Sequence, residues 1–587
     1  MRAPISRSAY LSSCIFLVSL ALLVSVSPLQ GQVFDPGPRP SGTKAFTATG
    51  GAPNCPLPNG TPLKFASPGV NCIDLDQPPS SPPNPLADGA GNLIGETTLP
   101  NGGGFAQPLF LMWFQGISIF ETVASVQGTV TGESMPGLGP SFNAQSCAHC
   151  HFQPAVGGSS PGIISIITGL GQVTTFTSFQ GTSFQFTENP EIIDAHDDNA
   201  TNIIPTFPAT TVSGPGFTTV PTNGPVIEVR FINGLAASGN AAAVQPFGVG
   251  ELFTFQGRSD EPKNCSISQL NFSNSALAFR IPTPTFGLGL VENTPELVLQ
   301  ANLAADIANP AAVALGIKGS FNVSGNDGTI TRFGWKAQNK SLLIFAGEAS
   351  NVEMGVTNEL FPDEKTWGNG LVCIPNNQPE DQIFPAQPPP TNGDASVMSS
   401  TAQDNAVFMR MNGAPSQCDA LLSGVNGDGV ATCQPFGSST VGIVGSQQVV
   451  TGQALFSNTS VGCNLCHSTV LETAPSVNAA LSNQIYHPYS DFALHHMGAG
   501  VADGINQGSA TSDQFRTAPL WGVGQRYFFF HDGRATDLVA AIQDHCPPAS
   551  QSASGSTPVG EACGSVKGFN ALTAAQQQDI IDFLRSL

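Results

Sequence analysis

The sequence predicts a mainly α-helical chain with two domains, each organised around a Cys-x-x-Cys-His string, with long loops and a β-rich insertion in the first. Three observations predict it. Cys147-Ala148-His149-Cys150-His151 and Cys463-Asn464-Leu465-Cys466-His467 repeat one motif far apart, well beyond chance for a chain of 587 residues with 13 Cys and 9 His. Apolar residues fall at helical spacing around 295–307, after Trp335, at 448–456 and at the C-terminus. Between about 160 and 290 the pattern changes to short runs of Thr, Val, Ile and Phe, such as 173–179 and 226–232, punctuated by Gly, Pro and Asn. That is strand and turn chemistry.

Taken in order, the chain opens with Arg2 and Arg7 ahead of an apolar run over 11–26 and a small-residue region near Gly31. This pattern is a secretory signal peptide over residues 1–31, and it implies a periplasmic or otherwise exported protein. The apolar run is short for a membrane span and nothing later is long enough, so no stable span is expected after cleavage. Residues 32–104, rich in Pro and Gly, form an irregular arm that could strap over a domain. Residues 105–440 make the N-terminal domain with its insertion. It includes a short amphipathic stretch over 116–123 in which Ile119, Phe120 and Val123 share a helical face. Residues 375–403, rich in Pro, Gln, Asn and Ser, form a linker or surface excursion. Residues 441–587 make the C-terminal domain, closed by a helix that a Thr573/Gln576 capping box begins and that Ile580, Phe583, Leu584 and Leu587 make amphipathic.

Composition narrows the function. Only 10% of residues are charged, while Gly (64) and Pro (48) are abundant, as in a loop-rich exported protein. Setting aside Cys14 and the four motif cysteines leaves an even eight of the thirteen, which suits disulfides in an oxidising compartment. Proximity pairs Cys55 with Cys72, Cys418 with Cys433 and Cys546 with Cys563, leaving Cys265 for Cys373. The net charge of −21 leaves no basic stripe to neutralise phosphates, so nucleic acid is excluded as a partner. The same charge suits a basic electron-donor or acceptor protein, such as a small c-type cytochrome, or simply a solvated acidic surface.

Cys-x-x-Cys-His is the attachment motif of a c-type haem. Cys147, Cys150, Cys463 and Cys466 would form the thioethers, and His151 and His467 would each ligate an iron, giving two covalently bound haems c. Thiol–disulfide chemistry at these strings is disfavoured, since each is followed by His and neither sits in a βαβ pattern. Residues 536–545 lack Gly and Pro, with Thr536 as a candidate cap. Leu538, Ile542 and His545 fall at i, i+4 and i+7, which puts two aliphatic groups and an imidazole on one helical face. His545 is therefore the candidate second axial ligand of the C-terminal haem.

The stretch Phe515-Arg516-Thr517-Ala518-Pro519-Leu520-Trp521-Gly522, followed by Phe530-His531-Asp532-Gly533-Arg534, resembles the C-terminal half of bacterial di-haem cytochrome c peroxidases and of the related haem enzyme that matures methylamine dehydrogenase. In those proteins the sixth ligand of the electron-transferring haem lies fourteen residues after the His of the F-H-D-G or F-H-S-G string. It is Met in the peroxidases and Tyr in the maturation enzyme. Here the position is His545, so the resemblance implies a closed, low-spin bis-His site of lowered potential, since Met ligation raises it. The chain is more similar still to the di-haem oxidoreductase family, also labelled thiol oxidoreductases. That likeness rests on Gly137-Leu138-Gly139-Pro140-Ser141-Phe142-Asn143, Gly287-Leu288-Gly289-Leu290-Val291-Glu292, Arg332-Phe333-Gly334-Trp335-Lys336-Ala337 and Leu494-His495-His496-Met497-Gly498, and it extends over most of 105–587.

The peroxidases carry a Trp between the haems, then S-L-x-x-Q, then E-M, with the Gln and Glu lining the distal pocket. Trp335, Ser341-Leu342 and Glu353-Met354 follow that order. The resemblance implies Trp335 as the bridge for electrons and Glu353 as the acid–base group that helps cleave a peroxide O–O bond. Two departures stand out: Phe345 occupies the Gln position, and Glu353 arrives two residues early. The relatives' distal His has no counterpart, which leaves Met354 or an open position at the N-terminal haem. His495 and His496 are expected in a loop beside the second haem, either bonding a propionate, tuning proton uptake or packing. The function implied is a peroxidase-like di-haem oxidoreductase. Electrons would enter at the C-terminal haem and pass to the N-terminal one, with a small-molecule oxidant as substrate. The alternative is a non-catalytic di-haem electron-transfer protein.

Overall fold

The computed structural model describes residues 277–362, 398–414, 446–476, 481–552 and 559–587, with shorter stretches between 116 and 160, strand pieces elsewhere and a few single positions. The signal peptide, most of the arm, Val123, Cys72, Cys265, Cys373, Cys418 and Cys433 lie outside the described residues.

The first motif forms a single turn, α1 (Cys147–Cys150). It is followed by two small antiparallel sheets. One is β1 (Val173–Thr177), β2 (Ser183–Glu188) and β3 (Ile203–Thr206), in that order; in the other, β4 (Glu228–Phe231) lies between β5 (Leu252–Phe253) and β6 (Leu277–Arg280). Five helices follow: α2 (Leu288–Glu292), α3 (Glu296–Ala308), α4 (Pro310–Leu315), α5 (Leu342–Glu353) and α6 (Thr401–Met411). The helix expected over 295–307 is thus followed at once by α4, whose N-cap Asn309 accepts from Ala311 N with Pro310 at the first helical position. α6 begins inside the stretch expected to be a linker. Ser400 and Gln403 form a reciprocal capping box there, a local signal that the surrounding Pro and Gln composition hides.

After the second motif, His495 and His496 lie in strand β7 (Leu494–His496) against β8 (Gln514–Arg516), not in a loop. The remaining helices are α7 (Ser446–Phe456), α8 (Leu538–Asp544), α9 (Cys563–Asn570) and α10 (Ala574–Ser586), the last with the expected Thr573/Gln576 box. α8 is capped by Asp537, whose carboxylate accepts from Ala540 N at 2.8 Å, rather than by Thr536; its C-cap is His545. α7 and α10 cross so closely that a Cβ at Gly452 would lie 1.8 Å from the Asp579 carbonyl oxygen, so only Gly fits there.

Buried apolar side chains gather in two main clusters. One surrounds the first motif: Phe120 and Ala148 with Leu288 and Val291 of α2, Leu342 of α5 and Phe408 of α6. It also takes Leu471, Tyr486, Phe492 and Trp521 from beyond the second motif. The other joins Val449 and Phe456 of α7, Leu538 and Ala541 of α8, and Ile580, Phe583 and Leu584 of α10. Val33 packs on this second cluster. Asp35, two residues on, pairs with Arg585 at 2.6 Å, both side chains about 2% exposed, and accepts from the first amide of α8. Cys546 and Cys563 are joined, with Cα atoms 4.8 Å apart. Among the described residues no helix is long and apolar enough to cross a membrane.

Candidate functional site

Around the second motif the chain leaves α7 and reaches Gly462 in the left-handed region, which turns it into the single turn Cys463–Leu465. His467 is thereby set on the wall of a cavity of about 210 Å³, lined also by Cys463, Cys466, Leu538, Ile542 and His545. The helical face read from the sequence is thus presented to that cavity, with His545 one residue past the end of α8. The two imidazole centres stand 6.5 Å apart. Each ring is oriented by the main chain: His467 Nδ1 donates to the Tyr489 carbonyl at 2.8 Å and His545 Nδ1 to the Ala541 carbonyl at 2.7 Å. A carbonyl can only accept, so Nδ1 carries the proton in both rings and each Nε2 keeps its lone pair. Burial, helped by the proximity of His545, pushes His467 down to about 4, and burial lowers His545 as well. Both are held in the neutral form that ligates metals.

Around the first motif, His151 N donates to the Cys147 carbonyl at 3.0 Å, and His151 Nδ1 donates to the Gly158 carbonyl at 3.1 Å. His151 lines a narrower cavity of about 60 Å³ with Cys147, Cys150, Trp335, Glu353 and Met354. Glu353 is the last residue of α5. Its charge lies close enough to Cys147 to add to the burial that pushes that thiol up to about 12. Met354 Sδ sits 3.8 Å from Cys147 Sγ. Phe345, at the position where the peroxidases carry Gln, lines the same cavity. Burial also takes the Cys463 thiol up to about 12.

Trp335 lines both cavities. It sits in a tight turn between Gly334 (φ +84°) and Ala337 (φ +49°), and its indole N–H donates to the Ile281 carbonyl at 2.8 Å. Its ring stands edge-on to His531, 6.4 Å between centres, and His531 in turn stacks on Phe515 at 4.2 Å.

The partners of His495 and two further lining residues escaped the sequence. His495 is buried with Nε2 2.9 Å from Asp491 and Nδ1 2.9 Å from Glu561. Burial alone would lower its pKa, but the Asp491 carboxylate beside the ring favours the imidazolium, and the pKa stands well above the usual imidazole value. Both ring nitrogens are engaged, so His495 is not free to bond a propionate. The Asp491 spacing is local enough to have been noticed; Glu561, 66 residues away, left no pattern. Gln338 and Asn405 also line the His151 cavity, each with a buried side-chain oxygen lacking a partner.

Two sites each pairing two thiols with an adjacent imidazole, one faced by a second imidazole, define a chain that holds two metal-bearing prosthetic groups. The family model described as "Di-haem oxidoreductase, putative peroxidase" matches residues 250–373 and 401–587, more than half of the chain, and the chain belongs to that family. No curated protein matches it. Haem is accordingly the cofactor these cavities have to accommodate. Imidazoles on opposite sides of one metal ion, each bonded at about 2 Å, stand with centres roughly 6 Å apart. The 6.5 Å between His467 and His545, with both Nε2 atoms unprotonated, fits an iron between them. At the first site the donor set fits equally, in a cavity less than a third as large.

Proposed function

We propose that this chain is an exported, periplasmic di-haem oxidoreductase of the peroxidase type, folded as two cytochrome c-like domains with two covalently bound haems c. Electrons would enter at the His467/His545 site and pass to a peroxide at the His151 site. The observation that carries this reading is an asymmetry: two imidazoles face each other across one cavity, whereas His151 is the one imidazole among the described residues lining the other.

When bound, the haems supply one-electron chemistry and, where a coordination position is open, a place for the oxidant. The protein does the rest. His467 and His545 would hold the group between them, which would keep substrate away and leave that site an electron relay. Trp335, on the wall of both cavities, divides one long electron transfer into two shorter ones. Glu353 holds a carboxylate beside Cys147, where it can carry protons to the oxygens of the substrate. Reducing a peroxide to two waters consumes two electrons and two protons; the electrons come from a partner protein and the protons pass through Glu353. The net charge of −21 favours a basic partner such as a small c-type cytochrome.

One observation favours a second reading. The Met354 thioether lines the His151 cavity, and ligation by its sulfur would close that site too, leaving a non-catalytic electron carrier. Turnover separates the two. With reduced small cytochrome c and hydrogen peroxide, after half-reduction of the protein, the enzyme oxidises two donors per peroxide. A protein that exchanges electrons with the donor but shows no peroxide-dependent oxidation is the carrier.

A further inference from the structure

Arg526 follows the short turn Val523–Gln525, is 6% exposed, and lines the same cavity as His467 and His545. Among the described residues its Nε has no hydrogen-bond partner, and its Nη2 reaches only the Ser159 hydroxyl, at a long 3.5 Å. Of the other arginines nearby, Arg280, Arg534 and Arg585 are answered by carboxylates, those of Asp503, Asp532 and Asp35, while buried Arg332 and Arg516 donate to main-chain carbonyls at 2.5 and 2.9 Å. Among the described residues no carboxylate stands beside Arg526. Burial lowers its pKa only to about 10, so it stays charged at neutral pH. A desolvated cation with no counter-ion in a mainly apolar cavity is expensive, and it makes sense when the occupant brings the anion.

We infer that Arg526 is the binding site for a carboxylate carried into the cavity by the prosthetic group, one propionate of the C-terminal haem. The inference rests on the function proposed above. A guanidinium offers a planar fork of donors that matches a carboxylate in two parallel hydrogen bonds. The position of Arg526 also sets an orientation. Ser159, its one side-chain hydrogen-bond partner among the described residues, belongs to the segment following His151, and the Ser159 hydroxyl donates to the carbonyl of Pro282, which lines the His151 cavity. Arg526 therefore stands on the side of its cavity linked through Ser159 to the first site, and a propionate bound there would be held on that side. A carboxylate or phosphate from solution has the same chemistry, and the experiment separates the sources.

The experiment is an EPR-monitored redox titration of the low-spin His467/His545 haem in the whole loaded protein, with haem content counted for each variant. Arg526→Leu leaves the propionate charge unanswered and disfavours the added electron. The equilibrium constant for reduction should fall about tenfold, about 59 mV for one electron. Arg526→Lys should restore most of the loss. Should the Leu variant fail to accumulate, Arg526→Gln makes the same comparison. An unchanged potential in Arg526→Leu or Arg526→Gln overturns the inference. So does a wild-type potential that moves with added acetate or phosphate at constant ionic strength, which would mean a free anion. Absence of a low-spin haem in the wild type would overturn the proposed function as well, and it is visible before any variant is compared.

Discussion

Each imidazole that the motifs and spacing singled out is held by a main-chain carbonyl: Tyr489 for His467, Ala541 for His545, Gly158 for His151. Such partners decide which ring nitrogen faces the metal, and ligand strength depends on them nearly as much as on the ligand itself. Glu353 differs in kind, because its proposed task is to move protons. Glu353→Gln should lower peroxide turnover about 100-fold or more while haem content and spin states stay as in the wild type. Unchanged turnover would reduce Glu353 to a solvated carboxylate at the end of α5. At this scale the sequence was informative where the signal is local. The two Cys-x-x-Cys-His strings and the i, i+4, i+7 face of Leu538, Ile542 and His545 need only neighbouring letters. The carbonyl of Tyr489, 22 residues from His467, and the carboxylate of Glu561 on His495 depend on how distant segments meet. The unanswered charge of Arg526 is likewise visible only once its surroundings are packed.

Among the elements, α8 matters most because it carries the face opposite His467. Seven residues make too short a helix to persist alone. It is held by the Asp537 cap, by packing on α10, by the Cys546 to Cys563 link just past its end, and by Asp35, which caps its first amide while paired with Arg585. Asp35→Ala strands the buried Arg585 charge and should cost about 3–5 kcal/mol, the usual consequence of breaking a buried pair from one side. Denaturant unfolding of the loaded protein measures it, and a loss below about 1 kcal/mol would mean that the arm's contact contributes little. The sequence suggested that the arm straps over a domain. It could not single out Asp35, whose partner lies 550 residues away. α6 was missed for the opposite reason: its capping box is local, but the Pro- and Gln-rich composition before it outweighed four letters.

Across the molecule, the core around the first motif borrows Leu471, Tyr486, Phe492 and Trp521 from beyond the second, so packing crosses the boundary that composition put at 440. Charge buried in these cores links stability to pH. Burial pushes His531 down to about 4. Between about 6.5 and 4 the unfolded chain binds more protons at this position, so its contribution makes stability fall as pH falls. His495 is raised, so its contribution is present below about 6.5 and is lost as pH rises through its folded value. His495→Gln should flatten the alkaline side of the stability profile in unfolding experiments run across pH; an unaltered alkaline limb would rule out the buried imidazolium. The central claim is that one haem is a closed relay and the other the place of chemistry, and EPR of the oxidised protein tests it most directly. The account predicts a low-spin bis-His signal that His545→Ala converts to high spin, with both haems still attached and the second haem's signal unmoved. A spectrum that His545→Ala leaves unchanged would contradict it.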